Sequence, residues 1–317
     1  TDRSRGLGDV YKRQIQKRRT FYGKINVVLF LLERRKRTKM KVRRSNRLVD
    51  MTRYLLEHPR TLVSLKFFSE RYGSAKSSIS EDLSIVKHTF ETWGEGQLKT
   101  IPGASGGAVL TPFYSRENAE RAIANLVREV NDDSRFLPGG YVYLSDLIGR
   151  PDVLHQVGQL IATQYVDQDV DVVMTVETKG IPIAQAAAMY MNKPFVIVRN
   201  SSHITEGPTV SVNYVSGSVK RIKKMELSRR TLSAGANVVI VDDFLKGGGT
   251  LNGMHSLIKE FDANLVGMTV LAEGTANGKR LVDNCTSLVK VDAEDGDQKT
   301  INARPGNFIE TVFGKEN

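Results

Sequence analysis

An α/β fold class is predicted, in two parts: an N-terminal winged helix-turn-helix domain, then a domain with a mostly parallel sheet. Three observations predict it. Residues 47–110 carry helical apolar stripes around a tight glycine turn and then a hairpin pattern. From residue 151 onward, short β-rich runs alternate with helical stretches, the mark of parallel strands joined by crossover helices. Within that alternation VVIVDDFLKGGGT (238–250) ends an apolar strand in two carboxylates and a triple-glycine loop.

A chain of 317 residues accommodates about two domains. Its 40% hydrophobic and 26% charged content excludes disordered and fibrous classes. The net charge of +11 is uneven: residues 1–39 hold 13 Lys/Arg against 3 Asp/Glu, 40–112 hold 11 against 7, and 113–317 hold 22 against 25. The mildly acidic last part argues against a general polyanion-binding surface there. A single cysteine, Cys285, excludes an intramolecular disulfide framework and fits a reducing cytoplasm. The apolar run Ile25–Leu32 is far short of the roughly 20 residues that span a bilayer, so no membrane is expected. RRKRTK then follows where a signal-peptide cleavage site would lie. Residues 1–39 lack helical or strand periodicity and are expected to be a non-native or disordered basic leader, with a DNA-touching arm as the alternative. The domains are expected at 40–112 and 113–317.

In RLVDMTRYLLEHP, Leu48, Met51, Leu55 and Leu56 make one helical face that Pro59 ends. A short helix through Leu65, Phe68 and Arg71 precedes the turn Tyr72-Gly73-Ser74, where glycine takes positive φ cheaply. The next helix carries Ile79, Leu83, Val86 and Phe90 toward the core, and Lys76, Ser77, Ser78 and Ser80 at its exposed start. Leu98–Ile101 and Ala108–Leu110 flank a Gly/Ser loop as a wing. In this geometry the second helix enters the DNA major groove. Lys41, Arg43, Arg44 and Arg47 upstream are candidate phosphate contacts, which supply affinity without specificity. The alternative is a helical bundle with a solvated polar face.

Residues 115–131 read as a connecting helix with Ser115 or Asn118 as its cap. Helix 151–166, strand Val170–Val176, helix Ile181–Met191, strand Pro194–Val198, the extended Thr209–Val215, strand Asn237–Val241, helix Leu251–Phe261 and strand Leu265–Ala272 complete the expected core. Ligands in such sheets bind at the carboxyl ends of the strands. There Asp242 and Asp243 suit two neighbouring hydroxyls, as on a ribose. Lys246-Gly247-Gly248-Gly249-Thr250, leading into a helix near Leu251, offers backbone amides and a hydroxyl to a phosphate. Neither the Walker pattern nor GxGxxG is present in this stretch. The turn Glu177-Thr178-Lys179-Gly180 offers amides, a hydroxyl and an ammonium to a second anionic group. The polar segment 199–221, broken by Gly207 and Gly217, reads as a flap, and its lone His203 supports no acid–base assignment.

VVIVDDFLKGGGT resembles the phosphoribosyl pyrophosphate motif of type I phosphoribosyltransferases. Taken with MKVRRSNRLVD, FFSERYGSAKSSISEDL, LPGGYVYLSD, VMTVETKGIP and VSVNYVSGS, the chain from about Met40 to near its end resembles the purine operon repressor family of Gram-positive bacteria. That resemblance implies a type I phosphoribosyltransferase-like domain that binds phosphoribosyl pyrophosphate. Asp242 and Asp243 would hold the ribose hydroxyls, and Phe244 and Leu245 follow them in the motif. Lys246 to Thr250 would wrap the 5′-phosphate, Thr178-Lys179-Gly180 would line the pyrophosphate side, and Tyr141 and Phe244 would lie around the effector. The enzyme motif carries a small residue and then Thr or Ser where Lys246 and Gly247 stand, a departure that bears on turnover more than on binding. The implied function is a cytoplasmic, homodimeric transcriptional repressor of purine biosynthesis genes. Its DNA affinity would fall when phosphoribosyl pyrophosphate binds, with Mg2+ as an accompanying ion and a guanosine polyphosphate as competitor. The alternatives are an active purine phosphoribosyltransferase with an accessory N-terminal domain and an RNA-binding regulator.

Overall fold

A computed structural model describes residues 42–103, 106–138, 141–201, 207–215, 221–275, 280–295 and 299–315. The leader, Lys41, His203 and Gly217 lie outside these residues. The first domain runs α1 (Arg44–Glu57), β1 (Val63–Ser64), α2 (Leu65–Tyr72), α3 (Lys76–Trp93), β2 (Gly96–Ile101) and β3 (Gly107–Pro112). Ser64 caps α2 by accepting from the Phe67 amide at 3.1 Å, and Gly73 ends it in the left-handed region at φ 60°. Strands β1, β3 and β2 form an antiparallel sheet. Met51, Leu55, Phe68, Ile79, Leu83, Leu98 and Leu110 are buried in one core beneath it. The stripe on α1 differs from expectation: Leu56 is half exposed, and Arg47 shares the core-facing side with Met51 and Leu55, at i, i+4 and i+8.

The helix α4 (Arg116–Val130) links the domains, and Ser115 is its cap, accepting from the Asn118 amide. Next come β4 (Phe136–Leu137), β5 (Tyr141–Val142), α5 (Ser145–Ile148), α6 (Pro151–Gln164), β6 (Val172–Val176), α7 (Gly180–Met191), β7 (Phe195–Val198), β8 (Thr209–Val215) and β9 (Ile222–Ser228). The chain then forms β10 (Asn237–Leu245), α8 (Gly249–Glu260), β11 (Asn264–Gly274), β12 (Thr286–Asp295), β13 (Lys299–Pro305) and α9 (Phe308–Phe313). The central sheet has the order β13-β12-β11-β10-β6-β7, parallel except for the β12–β13 pair. Two of its strands, β12 and β13, extend the core past its expected end at residue 272, and β9 pairs with β8 as a separate hairpin. Apolar clusters cover both faces of the sheet, one built with α4, α6 and α7 and the other with α8 and the hairpin.

Both outer strands of the sheet are partnered beyond the ladder. On β13 the amides of Ile301 and Ala303 donate to Asp133 Oδ1 (2.9 Å) and Asn131 Oδ1 (3.1 Å). Just past β7, Arg199 and Glu226 exchange backbone hydrogen bonds at 2.9 and 2.8 Å.

The domains meet over the second half of α6. The Arg60 guanidinium donates to the carbonyls of Ala162 (3.0 Å) and Tyr165 (3.4 Å). Gln159 Nε2 donates to the Glu95 carbonyl at 3.3 Å, and just past the first domain the Tyr114 amide donates to Thr163 Oγ1 at 2.9 Å. Among the described residues no helix is long and apolar enough to cross a membrane.

Candidate functional site

The strand β10 runs four residues further than the sequence pattern predicts, so Asp242, Asp243, Phe244 and Leu245 belong to the strand itself. It lies in the middle of the sheet between β6 and β11, where the parallel strands deliver their carboxyl ends to one rim. Directly after it, Gly248 takes φ 80° as the N-cap of α8, a conformation that glycine adopts without strain. The first intrahelical bond of α8 runs from the Asn252 amide to the Gly248 carbonyl at 2.9 Å. The amides of Gly249, Thr250 and Leu251 therefore project from the helix start without helical acceptors, at its positive end.

A cavity of about 220 Å3 opens at this rim. Its wall includes Tyr141, Lys179, Asp243, Phe244, Leu245, Lys246, Gly247, Gly248, Gly249 and Thr250, all of them singled out on the sequence. Val142, Leu144 and Leu251 complete it, apolar residues that were not among the expected site residues. Lys246 Nζ stands 5.1 Å from the Tyr141 ring centroid. One wall thus gathers two ammonium groups and a row of amides for anions, one carboxylate, and two aromatic rings.

Three expected residues sit differently. Asp242 is almost wholly buried and off the cavity wall, where its Oδ1 accepts from the Asp243 amide at 3.0 Å. Burial, and next the charge of Asp243, push its pKa well above the usual carboxylate range. Burial also raises Asp243, while the hydrogen bond with Asp242 and the charge of Lys179 pull it back. Gly180 lies behind the wall: a Cβ there would meet Thr175 Oγ1 at 2.2 Å and Asp242 Oδ1 at 2.7 Å, so glycine lets α7 start against the carboxylate. Thr178 is exposed beside the cavity, outside its lining, at the end of a cis Glu177–Thr178 peptide bond.

Supports that the sequence did not reveal hold the loop from outside. The Leu281 amide donates to the Gly247 carbonyl at 3.1 Å, and Val282 packs against Gly248. Arg280, one residue earlier, pairs with the buried Glu273, which also accepts from Ser287 Oγ at 2.6 Å. Tyr214 of the β8–β9 hairpin is in hydrogen-bonding contact with Thr250.

On the first domain, Lys76, Ser77 and Ser80 are exposed at the start of α3 and Ser78 is half-buried beside them. Arg43 is exposed. Arg47 is not the phosphate contact its basic run implied: it is buried and its Nε donates to Asp82 Oδ2 at 2.8 Å. Arg44 Nε donates to the other oxygen of Asp82 at 2.9 Å while half of its side chain stays exposed. The pairing locks α1 to α3, and it assigns Arg47 to the frame of the helix-turn-helix.

Residues 43–112 match the family described as "Bacterial purine repressor, N-terminal", and residues 150–305 match "Phosphoribosyl transferase domain". The chain is 52% identical over 278 residues to the "Purine biosynthesis transcriptional repressor PurR" of Bacillus subtilis (strain 168), covering 88% of this chain and 97% of that protein. It is 49% identical over 271 residues to the "Purine biosynthesis transcriptional activator PurR" of Lactococcus lactis subsp. lactis (strain IL1403), covering 84% and 99%. It is 32% identical over 152 residues to the "Xanthine phosphoribosyltransferase" of Deinococcus deserti, covering 47% of this chain and 79% of that enzyme.

Proposed function

The chain belongs to the bacterial purine repressor family, and from that premise we propose that it is a DNA-binding transcriptional repressor of purine biosynthesis genes whose rim cavity senses phosphoribosyl pyrophosphate. The observation that carries the effector assignment is the single wall on which Asp243, Lys179, Lys246 and the amides at the start of α8 converge. A sugar diol donates its hydroxyls to the Asp243 carboxylate, a 5′-phosphate fills the glycine loop, and a pyrophosphate reaches Lys179. Asp243 is the only carboxylate among the described lining residues. Among the described lining residues Asp243 is thus the side chain that would hold a Mg2+ ion, which would offset the charge of the phosphates. The paired anion-binding loops also suit a guanosine polyphosphate as a competitor.

Sensing replaces turnover in this reading. Close relatives over nearly the whole length are regulators, and the small-residue–Thr/Ser step of the enzyme motif is Lys246-Gly247 here. The start of α3 reads operator bases, and Arg43 and the half-exposed Arg44 lie where they can reach phosphates. A homodimer on an inverted repeat follows from the usual symmetry of helix-turn-helix proteins.

The test is binding of the full chain to duplex DNA from a purine-gene promoter, with and without phosphoribosyl pyrophosphate. Release by the effector is expected. The variant Asp242→Ala/Asp243→Ala should bind the duplex normally and no longer release it. Base-dependent pyrophosphate production at an enzyme-like rate would overturn the reading in favour of a phosphoribosyltransferase.

A further inference from the structure

We propose that α7, together with its neighbour α6, is the rod that carries effector binding to the winged helix, and that Arg60 is the latch on the last turn of α6; this deepens the effector reading above and rests on it. Helix α7 touches both places with its own two ends. Its first residue, Gly180, lies against Asp242. Its C-cap, Asn192, takes the left-handed region at φ 51°, and its Nδ2 donates to Thr61 Oγ1 of the first domain at 2.9 Å. Twelve helical residues span about 18 Å between these contacts.

The neighbouring α6 moves with it. A Cβ on Gly158 would sit 2.7 Å from the Ala186 carbonyl carbon, so the two backbones are in direct contact and leave no slack for sliding. The last turn of α6 is also where the first domain is seated. Ala162 and Tyr165 present helix-end carbonyls there, and Arg60 brings its positive charge to that negative end. Thr163 Oγ1 accepts from the Tyr114 amide while donating to the Gln159 carbonyl at 2.7 Å, and Gln159 in turn donates to Glu95. A shift at Gly180 therefore arrives, through a rigid helix pair, at the residues on which the DNA-binding domain rests.

Arg60 is built to let go. Its backbone sits at φ 54°, which non-glycine residues rarely adopt. Its buried Nε has no hydrogen-bond partner among the described residues. One of its two carbonyl contacts is long, at 3.4 Å. A small displacement of the α6 end breaks that contact and returns the guanidinium to water, which compensates the loss. The seated and released arrangements are thus two discrete states, and a ligand that prefers one of them biases both sites.

The experiment uses the full chain, Arg60→Met and Asn192→Gly, with phosphoribosyl pyrophosphate as the probe. Glycine is at ease in the left-handed conformation of residue 192, so the second variant removes the Thr61 hydrogen bond without backbone strain. Calorimetry should give both variants a ligand Kd within about twofold of the parent. The effector-induced change in promoter DNA Kd, commonly about 5–150-fold in coupled sites, should shrink to less than about a third of the parent's. Coupling is reciprocal, so the effect of DNA on ligand Kd should shrink by the same factor. Parental coupling in both variants overturns the proposal. So does a parent that binds the ligand with no change in DNA affinity, a result that leaves the pocket assignment standing. A parent that does not bind the ligand sinks the effector assignment instead. Hydrogen exchange then decides the latch: Arg60→Met must speed exchange at 60–64 and 159–166 in the ligand-free chain, and unchanged rates overturn it.

Discussion

Replacing Gly180 by alanine should disable the effector pocket from behind without touching its wall. The new Cβ would lie 2.2 Å from Thr175 Oγ1 and 2.7 Å from Asp242 Oδ1, both inside the 3.0 Å that real Cβ atoms respect. Thr175 cannot give way easily, because it is fully buried in the middle of a sheet and β-branched side chains are stiff at χ1. Relief must come from Asp242 turning away or from the first turn of α7 lifting. Overpacking of this kind costs about 1–3 kcal/mol, less than the roughly 5–15 kcal/mol that holds a domain together. The chain should stay folded and lose about 2–12 °C in Tm. Asp242 also positions Asp243, whose amide donates to it. A hydrogen bond to a charged carboxylate is worth about 1.5–3 kcal/mol, so the Kd for phosphoribosyl pyrophosphate should rise roughly 10- to 100-fold. Calorimetry on the ligand, a thermal melt and DNA anisotropy without ligand separate the effects: ligand-free DNA affinity stays parental where Asp242 turns away, and shifts where the first turn of α7 lifts and displaces the rod. A lowered Tm with parental ligand affinity would refute the positioning argument, and no change in either would refute the packing.

Asp82→Ala should destabilise the first domain by about 3–5 kcal/mol in a denaturant titration, because it strands the buried Arg47 without its counter-charge; Arg44→Ala, with half its side chain in water, should cost less than about 1 kcal/mol. Asp50 is held well below the usual carboxylate range, first by its hydrogen bond from Arg71 and then by Arg53 and Tyr72. A depressed folded-state pKa gives stability that is present above about pH 4 and is lost as pH falls further. Asp50→Asn should therefore cost about 1 kcal/mol at neutral pH and flatten the acid limb of the stability profile; an acid limb parallel to the parent's would count against it. For Asp242 and Asp243 the sign is opposite: burial raises both, so protonation sets in at higher pH than for ordinary carboxylates. Ribose hydroxyls favour the charged acceptors, so ligand affinity should strengthen as pH rises through that range, with net proton release in calorimetry. Asp243→Asn keeps the ligand's own titration and should lose most of the release; equal release from the variant would remove Asp243 from the site.

The residues that chemistry constrains were legible before any coordinates. The order Val238 to Thr250 has few structural uses, and ten of its neighbours and members on the cavity wall were marked in advance. Elements stabilised by distant partners were not. β12 carries Lys290 and Asp292 inside its apolar run and is placed by β11 on one side and β13 on the other. β9 opens with Ile222-Lys223-Lys224, all exposed, and owes its pairing to β8. Arg47 was misjudged for a different reason: the basic run drew attention to its charge, although its helical phase with Met51 and Leu55 already pointed inward. Asp242 and Asp243 looked equivalent on the sequence, and only the strand running on to Leu245 turns one into the pocket and the other behind it.

The side-chain caps on β13 have a consequence for how copies of this chain behave when they accumulate. An open strand edge is a template on which sheets join without limit. Asp133 and Asn131, both in the short connection after α4, occupy the two amides that such a junction would use. Near the opposite edge, Arg199 is already engaged by Glu226. Sheet continuation is discouraged at both margins of the central sheet. Two polar side chains in a linker thus act as a safeguard against fibrous assembly, and they bias crowding at a promoter toward finite, closed complexes.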